Sequence, residues 1–237
     1  MSRTDYQVNE IFHTVQGEGM FTGTAATFIR LQGCTVGCPW CDSGPLADSL
    51  PQARTTNGMT RNTWGVGGVR LSVETIIWAA YAFWAASDHP HFVITGGEPT
   101  LYDLDSLING LRSFQSQRDG NRTFIQLETS GQNNLKGNEK PDWVTWSPKK
   151  NLDYVAPLTL LELVNEVKFV VDSELTELTV VDIEALFGQE FRRVPQIVLM
   201  PEGCPPGPEM MKKAFAWAVG HPGWRVMDRL QYRLGVR

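Results

Sequence analysis

The sequence predicts an α/β fold with mainly parallel strands, in an open or barrel-like sheet. Apolar segments rich in β-branched residues alternate along the chain with segments in which apolar residues recur at helical spacing. Such alternation is typical of strand–helix–strand units, whose strands lie parallel. The 237 residues, 42% of them hydrophobic, are enough for one large core but few for two, so we expect one domain over residues 1–237.

The predicted elements follow from local patterns. The first predicted strand is ATFIRLQG at residues 26–33, which ends in glycine and leads directly into a loop with three cysteines. Further strands are predicted at residues 91–97, 123–131, 143–149, 165–172 and 196–203. Helices are predicted from the capping residue Ser72 to about Ala86, at residues 104–114, and over DIEALFG and MMKKAFAWAVG. Residues 44–70 are rich in Gly, Thr, Pro and Asn without a period, so we expect a long inserted loop there.

Five of the predicted strands end in polar or glycine-containing turns, namely LQGC, TGGEP, ETSG, SPK and MPEG. In parallel α/β folds the ligand site gathers at the carboxyl ends of the strands. Any single turn of this kind has ordinary loop composition. The five together, with the cysteines among them, indicate a shared site.

Composition and charge restrict the function classes. The net charge of −5 argues against a broad basic face, so we expect no direct nucleic-acid partner. The longest apolar run, residues 76–86, is too short to span a bilayer and fits a buried helix or a subunit contact. The first residues lack the apolar core of a secretory signal, and clustered cysteines are typical of metal binding in a reduced compartment. We therefore expect a cytoplasmic protein without membrane contact.

Cys34, Cys38 and Cys41 stand in a C-x3-C-x2-C arrangement, and the fourth cysteine, Cys204, lies far away in the sequence. A structural zinc site and a ferredoxin-type cluster each use four protein ligands. Three thiolates on one loop can instead bind three irons of a [4Fe-4S] cluster and leave the fourth iron open for a substrate or cofactor. The alternative is a zinc knuckle completed by a histidine or by Cys204, but no histidine has the usual knuckle spacing.

This spacing resembles the signature of the radical S-adenosylmethionine (SAM) superfamily. The resemblance implies a [4Fe-4S] cluster whose open iron is chelated by the amino and carboxylate groups of SAM. It also implies that reduction cleaves SAM to a 5′-deoxyadenosyl radical, which removes a hydrogen atom from the substrate. Trp40, just before the last cysteine, matches an aromatic position near the adenine. TGGEP, residues 95–99, resembles the superfamily's glycine motif for the methionyl end of SAM, where glycine lets the backbone approach the ligand.

Several stretches resemble the 7-carboxy-7-deazaguanine synthase family: VNEIFHTVQGEGMFTG, ATFIRLQGC, CPWCDS, ITGGEP, ETSG and SPK. The resemblance implies a reduced (β6/α3) form of the radical-SAM partial barrel, usually a homodimer. It implies conversion of 6-carboxy-5,6,7,8-tetrahydropterin to 7-carboxy-7-deazaguanine, by a radical ring contraction with loss of ammonia, in 7-deazapurine (queuosine-type) biosynthesis. Besides the cluster and SAM, this lyase reaction would use Mg²⁺ and an external one-electron reductant such as flavodoxin or ferredoxin.

The resemblance, together with position at strand ends, implies individual site residues. Ser43 matches the Mg²⁺ ligand position, and a hydroxyl is a plausible hard-oxygen donor. Arg30 lies in an apolar strand, where its charge needs a partner, either the substrate carboxylate or a structural salt bridge. Substrate contacts are expected from Val15, Gln16, Gly17, Glu18, Arg30, Thr95, Glu128 and Arg237. SAM contacts are expected from Trp40, Asp42, Gly97, Glu98, Ser147, Pro148, Lys149, Met200, Pro201, Glu202 and Gly203.

The carboxyl end departs from the family pattern. Many relatives have a QTHK stretch there, with a histidine near the substrate, whereas this chain has MDRLQYRLGVR and places Gln231 at about that position. We assign no catalytic side chain beyond the cluster and SAM. Two other functions stay open at this point. One is a glycyl-radical-enzyme activase, which carries the same cysteine spacing, and the other is a non-enzymatic, metal-stabilised binding module.

Overall fold

A computed structural model describes residues 5–38, 41, 68–84, 89–116, 123–203 and 206–235. Within these ranges nine strands form one sheet in the order β3-β1-β2-β4-β5-β6-β7-β8-β9. The strands are β1 (Asp5–Val15), β2 (Ala25–Leu31), β3 (Val69–Ser72), β4 (His91–Gly96), β5 (Phe124–Thr129), β6 (Trp143–Trp146), β7 (Val164–Val171), β8 (Gln196–Pro201) and β9 (Trp224–Val226). β2 and β4 to β9 run parallel, whereas β1 is antiparallel to β2 and β3 is antiparallel to β1. The predicted α/β class with mainly parallel strands is confirmed.

Six α-helices accompany the sheet in the described ranges. They are α1 (Val73–Tyr81), α2 (Asp105–Ser116), α3 (Leu158–Leu161), α4 (Glu177–Phe191), α5 (Pro208–Gly220) and α6 (Leu230–Leu234). Ser72 caps α1 as predicted, because its Oγ accepts the backbone N–H of Thr75 at 3.3 Å. A 3-10 turn, Ala82–Trp84, continues α1, and the remainder of the predicted helix lies outside the described residues. None of the helices in the described ranges has the length and hydropathy of a membrane span.

Three strands of the described part are missing from the prediction made from sequence: β1, β3 and the three-residue β9, which pairs with β8. β1 buries only Tyr6 and Val8 fully and is half-buried over most of the rest, so no clean alternation marks it as a strand. β3 has four residues and takes up residues 69–70, the last two of the predicted inserted loop, while residues 44–67 lie outside the described part. β1 and β3 are defined by their pairing with a neighbour, which local propensity does not reveal.

The two faces of the parallel sheet differ, because successive residues of a strand point to opposite sides. The face against the helices is apolar, and Ile29, Ile94, Leu127, Phe169 and Leu199 are buried there in one continuous core. Since these side chains come from five different strands, the core fixes the strands relative to one another. It also leaves the opposite face of the same strands available for other chemistry.

That opposite face carries polar side chains although it is largely closed to water. Gln126 and Glu128 on β5, Thr145 on β6, and Glu166 and Lys168 on β7 all point to it. In the strand register, Glu128 lies beside Thr145 and Thr145 beside Glu166, so these three form one row across the sheet. Buried polar groups are unfavourable without partners. Because a buried row of polar side chains needs polar partners, this face of the sheet is a candidate binding site.

Candidate functional site

The turns at the carboxyl edge of the sheet are hydrogen-bonded to their neighbours. The N–H of Glu98 donates to the carbonyl of Gly33 at 2.8 Å, which joins the turn after β4 to the cysteine loop after β2. The N–H of Ser147 donates to the carbonyl of Thr129 at 2.8 Å, which joins the turns after β5 and β6. The N–H of Glu202 reaches the carbonyl at the end of β7 at 2.9 Å. The five motif turns thus meet at one edge of the sheet.

The cysteine loop follows β2 directly, and Cys34, Cys38 and Cys41 are all half-buried free thiols. The N–H of Val36 donates to the sulfur of Cys34 at 3.4 Å, and the N–H of Cys41 donates to the carbonyl of Cys38 at 3.2 Å. Burial raises the pKa of Cys38, and the charges of the other two thiols raise it further, while Lys149 acts against both. The three sulfurs therefore lie near one another and near a cation.

The cysteine loop has features that suit an iron–sulfur cluster. No three His, Cys, Asp or Glu side chains in the described ranges are arranged to hold one ion. Cluster thiolates bind separate irons, so they lie farther apart than the ligands that share one ion. An N–H bonded to a cysteine sulfur and a cation near the loop are the features that stabilise an anionic iron–sulfur cluster. The residues present accordingly fit the expected [4Fe-4S] group.

Glycine at the end of β4 is required by the neighbouring strand. Gly96 has a φ of 135°, and a Cβ at this position would lie 2.2 Å from the carbonyl oxygen of Leu31. Gly97 follows it and donates its N–H to the same oxygen at 3.1 Å. The motif thus draws the end of β4 against the strand that leads into the cysteine loop. Gly97 lies beside that loop, where it is expected to contact SAM.

Glu98, the acidic residue of the same motif, is fully buried, and its carboxylate is occupied by protein donors. Oε1 accepts the N–H of Thr100 at 3.0 Å, the hydroxyl of Thr100 at 2.6 Å and the hydroxyl of Thr129 at 2.6 Å. Oε2 accepts the N–H of Ser130 at 2.8 Å and the hydroxyl of the same residue. Its expected contact with SAM stays a prediction. What the structure shows is a carboxylate that fixes the turns after β4 and β5.

The two remaining SAM turns come from β6 and β8. Lys149 donates to the hydroxyl of Ser147 at 2.7 Å, and that hydroxyl donates to the carbonyl of Lys168 at 3.2 Å, so the SPK turn is anchored on β7. In the MPEG turn, Met200 and Pro201 are buried, whereas Gly203 is exposed. Pro148 is buried beside Ser147, and Glu202 is half-buried. Among them, Lys149 lies near the cysteine loop, because its charge acts on Cys38.

The expected substrate turn after β1 reaches across to β5. Gln16 is buried, and its Nε2 donates to Oε1 of Glu128 at 3.1 Å and to Oε1 of Gln126 at 3.4 Å. The hydroxyl of Thr95 donates to the other oxygen of Glu128 at 3.3 Å. Val15, the last residue of β1, leads into this turn. The structure thus brings Gln16, Thr95 and Glu128 together from three separate parts of the chain.

Arg30 has a protein partner. Its Nε donates to Oε1 of Glu10 at 2.9 Å, on the neighbouring strand β1, and its guanidinium lies 5.8 Å from the ring centre of Phe12. The structural salt bridge considered from the sequence is therefore present. A guanidinium has five N–H donors, so this pair does not exclude a second, anionic partner.

No protein-family model matches the chain. It is 36% identical to the 7-carboxy-7-deazaguanine synthase of Escherichia coli K12 over 189 residues, 76% of each chain. It is 33% identical to the enzyme of the same name from Synechocystis over 234 residues, 98% of this chain and 94% of that one. This chain belongs to the 7-carboxy-7-deazaguanine synthase family. The crystal structure of QueE from Escherichia coli has a similar fold, with a TM-score of 0.65 and 29% identity over 95% of this chain and 94% of that one.

The carboxyl end of the chain packs on the expected substrate turn. Nε2 of Gln231 donates to Oε1 of Glu18 at 2.9 Å, and the N–H of Leu230 donates to the carbonyl of Gly17 at 2.9 Å. A Cβ on Gly17 would lie 1.8 Å from Oε1 of Gln231. The glutamine that stands at about the position of the expected histidine therefore packs on the substrate turn, and α6 holds that turn in place.

Sequence reasoning missed Lys168, the cation beside the expected substrate residues of this synthase family. Lys168 lies 2.8 Å from Oε2 of Glu18 and 3.6 Å from Oε1 of Glu128. The signal was present in NEVKFVVD, because a lysine within an apolar strand needs an anionic partner, as does Arg30. Five other residues singled out from the sequence lie outside the described ranges: Trp40, Asp42, Ser43, Cys204 and Arg237.

Proposed function

We propose that this chain catalyses the reaction that names its family. It converts 6-carboxy-5,6,7,8-tetrahydropterin to 7-carboxy-7-deazaguanine with loss of ammonia, as a radical SAM lyase of 7-deazapurine (queuosine-type) biosynthesis. The observation that carries the proposal is the position of the three-cysteine loop. It lies at the same sheet edge as a polar interior built from Gln16, Thr95 and Glu128. A site for a redox cluster thus lies beside a site for a polar heterocycle.

The cysteine loop would hold the cluster through Cys34, Cys38 and Cys41. With SAM bound, that cluster would supply the one-electron chemistry of a radical reaction. The chain's own contribution is position and charge. Lys149 places a cation near the loop, and Gly97 brings backbone close to it without a side chain in between. Ser43 is proposed as the Mg²⁺ ligand from the family pattern alone.

The polar interior would bind the pterin by its edge. The pyrimidine ring of a pterin has an amino group and a ring N–H on one side, which an ionised carboxylate can accept together. Glu18 and Glu128 are the carboxylates of this interior that we propose for this contact, and Gln16 adds an amide. Arg30 is proposed to bind the 6-carboxylate of the substrate in addition to Glu10. These roles come from geometry and from the family pattern together.

Three broader features belong to the same proposal. One domain over residues 1–237 is supported by the single sheet that runs from β1 to β9. A homodimer is supported by exposed apolar side chains at and after α1, since Trp78 is 68% exposed and Phe83 is 50% exposed. A one-electron donor such as flavodoxin or ferredoxin is required by the chemistry. Cytoplasmic location agrees with three free cysteines.

The deciding experiment is an anaerobic turnover assay. Reconstituted protein is incubated with SAM, a one-electron reductant, Mg²⁺ and the carboxytetrahydropterin, and mass spectrometry is expected to detect the deazapurine and one ammonia per turnover. SAM cleavage without conversion of the pterin would reject the proposal. Cys34→Ala is expected to lose cluster iron and sulfide together with activity. Cys204→Ala is the matched control, because no role is assigned to Cys204, and it should keep both.

A further inference from the structure

Lys168 is the one lysine among the described residues that lies between two carboxylates of the expected substrate site. Its Nζ donates to Oε2 of Glu18 at 2.8 Å and lies 3.6 Å from Oε1 of Glu128. The residue is only 7% exposed. Glu18 comes from the turn after β1, Glu128 from β5 and Lys168 from β7, so the ammonium joins three elements across the interior of the sheet.

A buried ammonium is unfavourable unless anions compensate it, and the same holds for each carboxylate. Glu18 has three partners, because Arg229 lies 3.7 Å from its Oε1 and Gln231 donates to that oxygen at 2.9 Å. Glu128 accepts hydrogen bonds from Gln16 and Thr95, and the ammonium of Lys168 lies near it. Lys168 therefore matters for both carboxylates, and most for Glu128.

We propose that Lys168 is a positioning and specificity-determining residue of the substrate site. Its ammonium pairs with both Glu18 and Glu128 and holds them at a fixed separation, so that both carboxylates accept N–H hydrogen bonds from the pterin edge. This inference rests on the proposed function and adds to it a residue that the family pattern did not supply. An ionised carboxylate only accepts hydrogen bonds, whereas a protonated one also donates. A site that must receive N–H donors therefore needs both groups ionised.

The groups that face Lys168 set the expected pH dependence. They are Glu18, Glu128 and Glu166, with Arg229 on the far side of Glu18. Burial opposes ionisation of Glu18, but Lys168 and Arg229 more than offset it, so its pKa falls to about 2. Burial also lowers the pKa of Lys168, and the three carboxylates raise it well above its ordinary value. Glu18 and Lys168 consequently keep their opposite charges through the neutral range.

Removal of the ammonium changes that balance. In Lys168→Met, three carboxylates share one interior with Arg229 as the nearby cation, and like charges in a closed space favour uptake of a proton. A protonated carboxyl presents a donor to the N–H groups of the pterin. Binding should then weaken at low pH and recover as the pH rises, which the native protein should not show.

The test is the dissociation constant for the carboxytetrahydropterin, measured anaerobically by calorimetry on the cluster-loaded protein with SAM and Mg²⁺ but no reductant. It is measured from pH 5.5 to 9 for the native protein, Lys168→Met and Lys168→Arg. We expect a flat profile for the native protein and for Lys168→Arg, which keeps the charge. We expect Lys168→Met to bind roughly 10- to 100-fold more weakly at pH 6.5, with the loss shrinking toward pH 9.

Lys213→Met is the matched control. Lys213 is also part-buried and donates to the carbonyls of Asp172 and Leu175 at 2.7 Å each, but it contacts neither carboxylate of the site. Lys213→Met should leave the affinity for the pterin unchanged, and that affinity should remain independent of pH. If Lys168→Met does not fold, Lys168→Gln takes its place with the same expected and contrary results, because it keeps a donor without the charge.

Two results would overturn the inference. One is a folded Lys168→Met protein with native affinity at every pH. The other is a loss of affinity that is equal at every pH, since that would reflect packing and not charge. Both differ from failure of the proposed function, in which the native protein itself would not convert the pterin in the turnover assay.

Discussion

Glu98 and Ser130 are joined by two hydrogen bonds, from the backbone N–H of Ser130 at 2.8 Å and from its hydroxyl, both to Oε2 of Glu98. With the three donors on Oε1, the carboxylate of Glu98 satisfies five groups in a fully buried position. A buried hydrogen-bond network thus lies at the centre of the motif expected to bind SAM. The turn after β4 and the turn after β5 cannot move independently.

Glu98→Gln should therefore destabilise the fold. The amide has one acceptor oxygen, so two or more buried donors on the Ser130 or Thr100 side lose their partner, at about 2–4 kcal/mol in total. The free energy of unfolding, measured by anaerobic urea titration, checks this. Glu209→Gln on the exposed start of α5 is the matched control, and equal stability of both variants would contradict the assignment.

Gly96→Ala should lower the free energy of unfolding, whereas Gly188→Ala should raise it. A Cβ on Gly96 would lie 2.2 Å from backbone at a φ of 135°, so we expect a loss of at least about 3 kcal/mol. Gly188 lies within α4 with open space around it, and alanine there should stabilise the protein by about 0.5–1 kcal/mol. Thermal unfolding of the two variants gives the comparison. Equal melting temperatures of the two variants would show that β4 does not lie in close contact with Leu31.

Arg30→Gln and Glu10→Gln separate the two roles considered for Arg30. If the guanidinium also binds the substrate carboxylate, Arg30→Gln should raise the KM for the pterin roughly 10- to 100-fold. Glu10→Gln breaks the same salt bridge but leaves the guanidinium, so its KM should stay within about threefold of the native value. Equal KM values for both variants would leave Arg30 with the structural role alone.

Gly17→Ala should disturb the substrate turn through Gln231. The new Cβ would occupy the place of the Gln231 amide oxygen, so the hydrogen bond from Gln231 to Glu18 must break. In a Gln231→Ala background the clash is largely removed, and the effect of Gly17→Ala on pterin affinity should be smaller. We expect a coupling of about 0.5–3 kcal/mol in the double-mutant cycle. If the effects of the two substitutions on the binding free energy of the pterin simply add, the contact between Gly17 and Gln231 is contradicted.

Glu166→Gln should change how stability depends on pH. Glu166 is buried and its Oε1 lacks a hydrogen-bond partner in the described part of the chain. Burial raises its pKa more than Lys168 lowers it. A carboxyl whose pKa is raised by folding stabilises the protein at low pH and loses that contribution as the pH rises through the folded value. The neutral amide has no such loss.

The free energy of unfolding of Glu166→Gln relative to the native protein should thus increase between pH 5 and pH 8.5. Urea titrations at several pH values measure it. Glu162→Gln, at an exposed position just before β7, is the matched control. Its free energy of unfolding should change with pH as that of the native protein does. If the free energy of unfolding of Glu166→Gln changes with pH as that of the native protein does, folding does not raise the pKa of Glu166.

Six of the seven parallel strands in the described part were predictable because their signals are local, whereas the three-residue β9 was not predicted. β2, β4, β5, β7 and β8 are runs of β-branched and aromatic residues that end in glycine or polar turns, and their bounds agree with the predicted ones within a few residues. The cysteine loop was predictable for the same reason, since its three thiols lie within eight residues. Strand β1 was not, because its side chains are half-buried and its partner strand defines it.

The sequence by itself determined the α/β class, the cysteine loop, the order of the motif turns and the expected substrate residues on them. Tertiary structure alone decided which charges meet. Lys168 and Glu18 are 150 residues apart, and Gln231 and Glu18 are 213 apart. Periodicity and turn chemistry act between neighbours along the chain, whereas the partner of a buried charge is set by how the strands close around it. The fold therefore placed a cation among the carboxylates expected to bind the substrate, where the sequence showed only a lysine in an apolar strand.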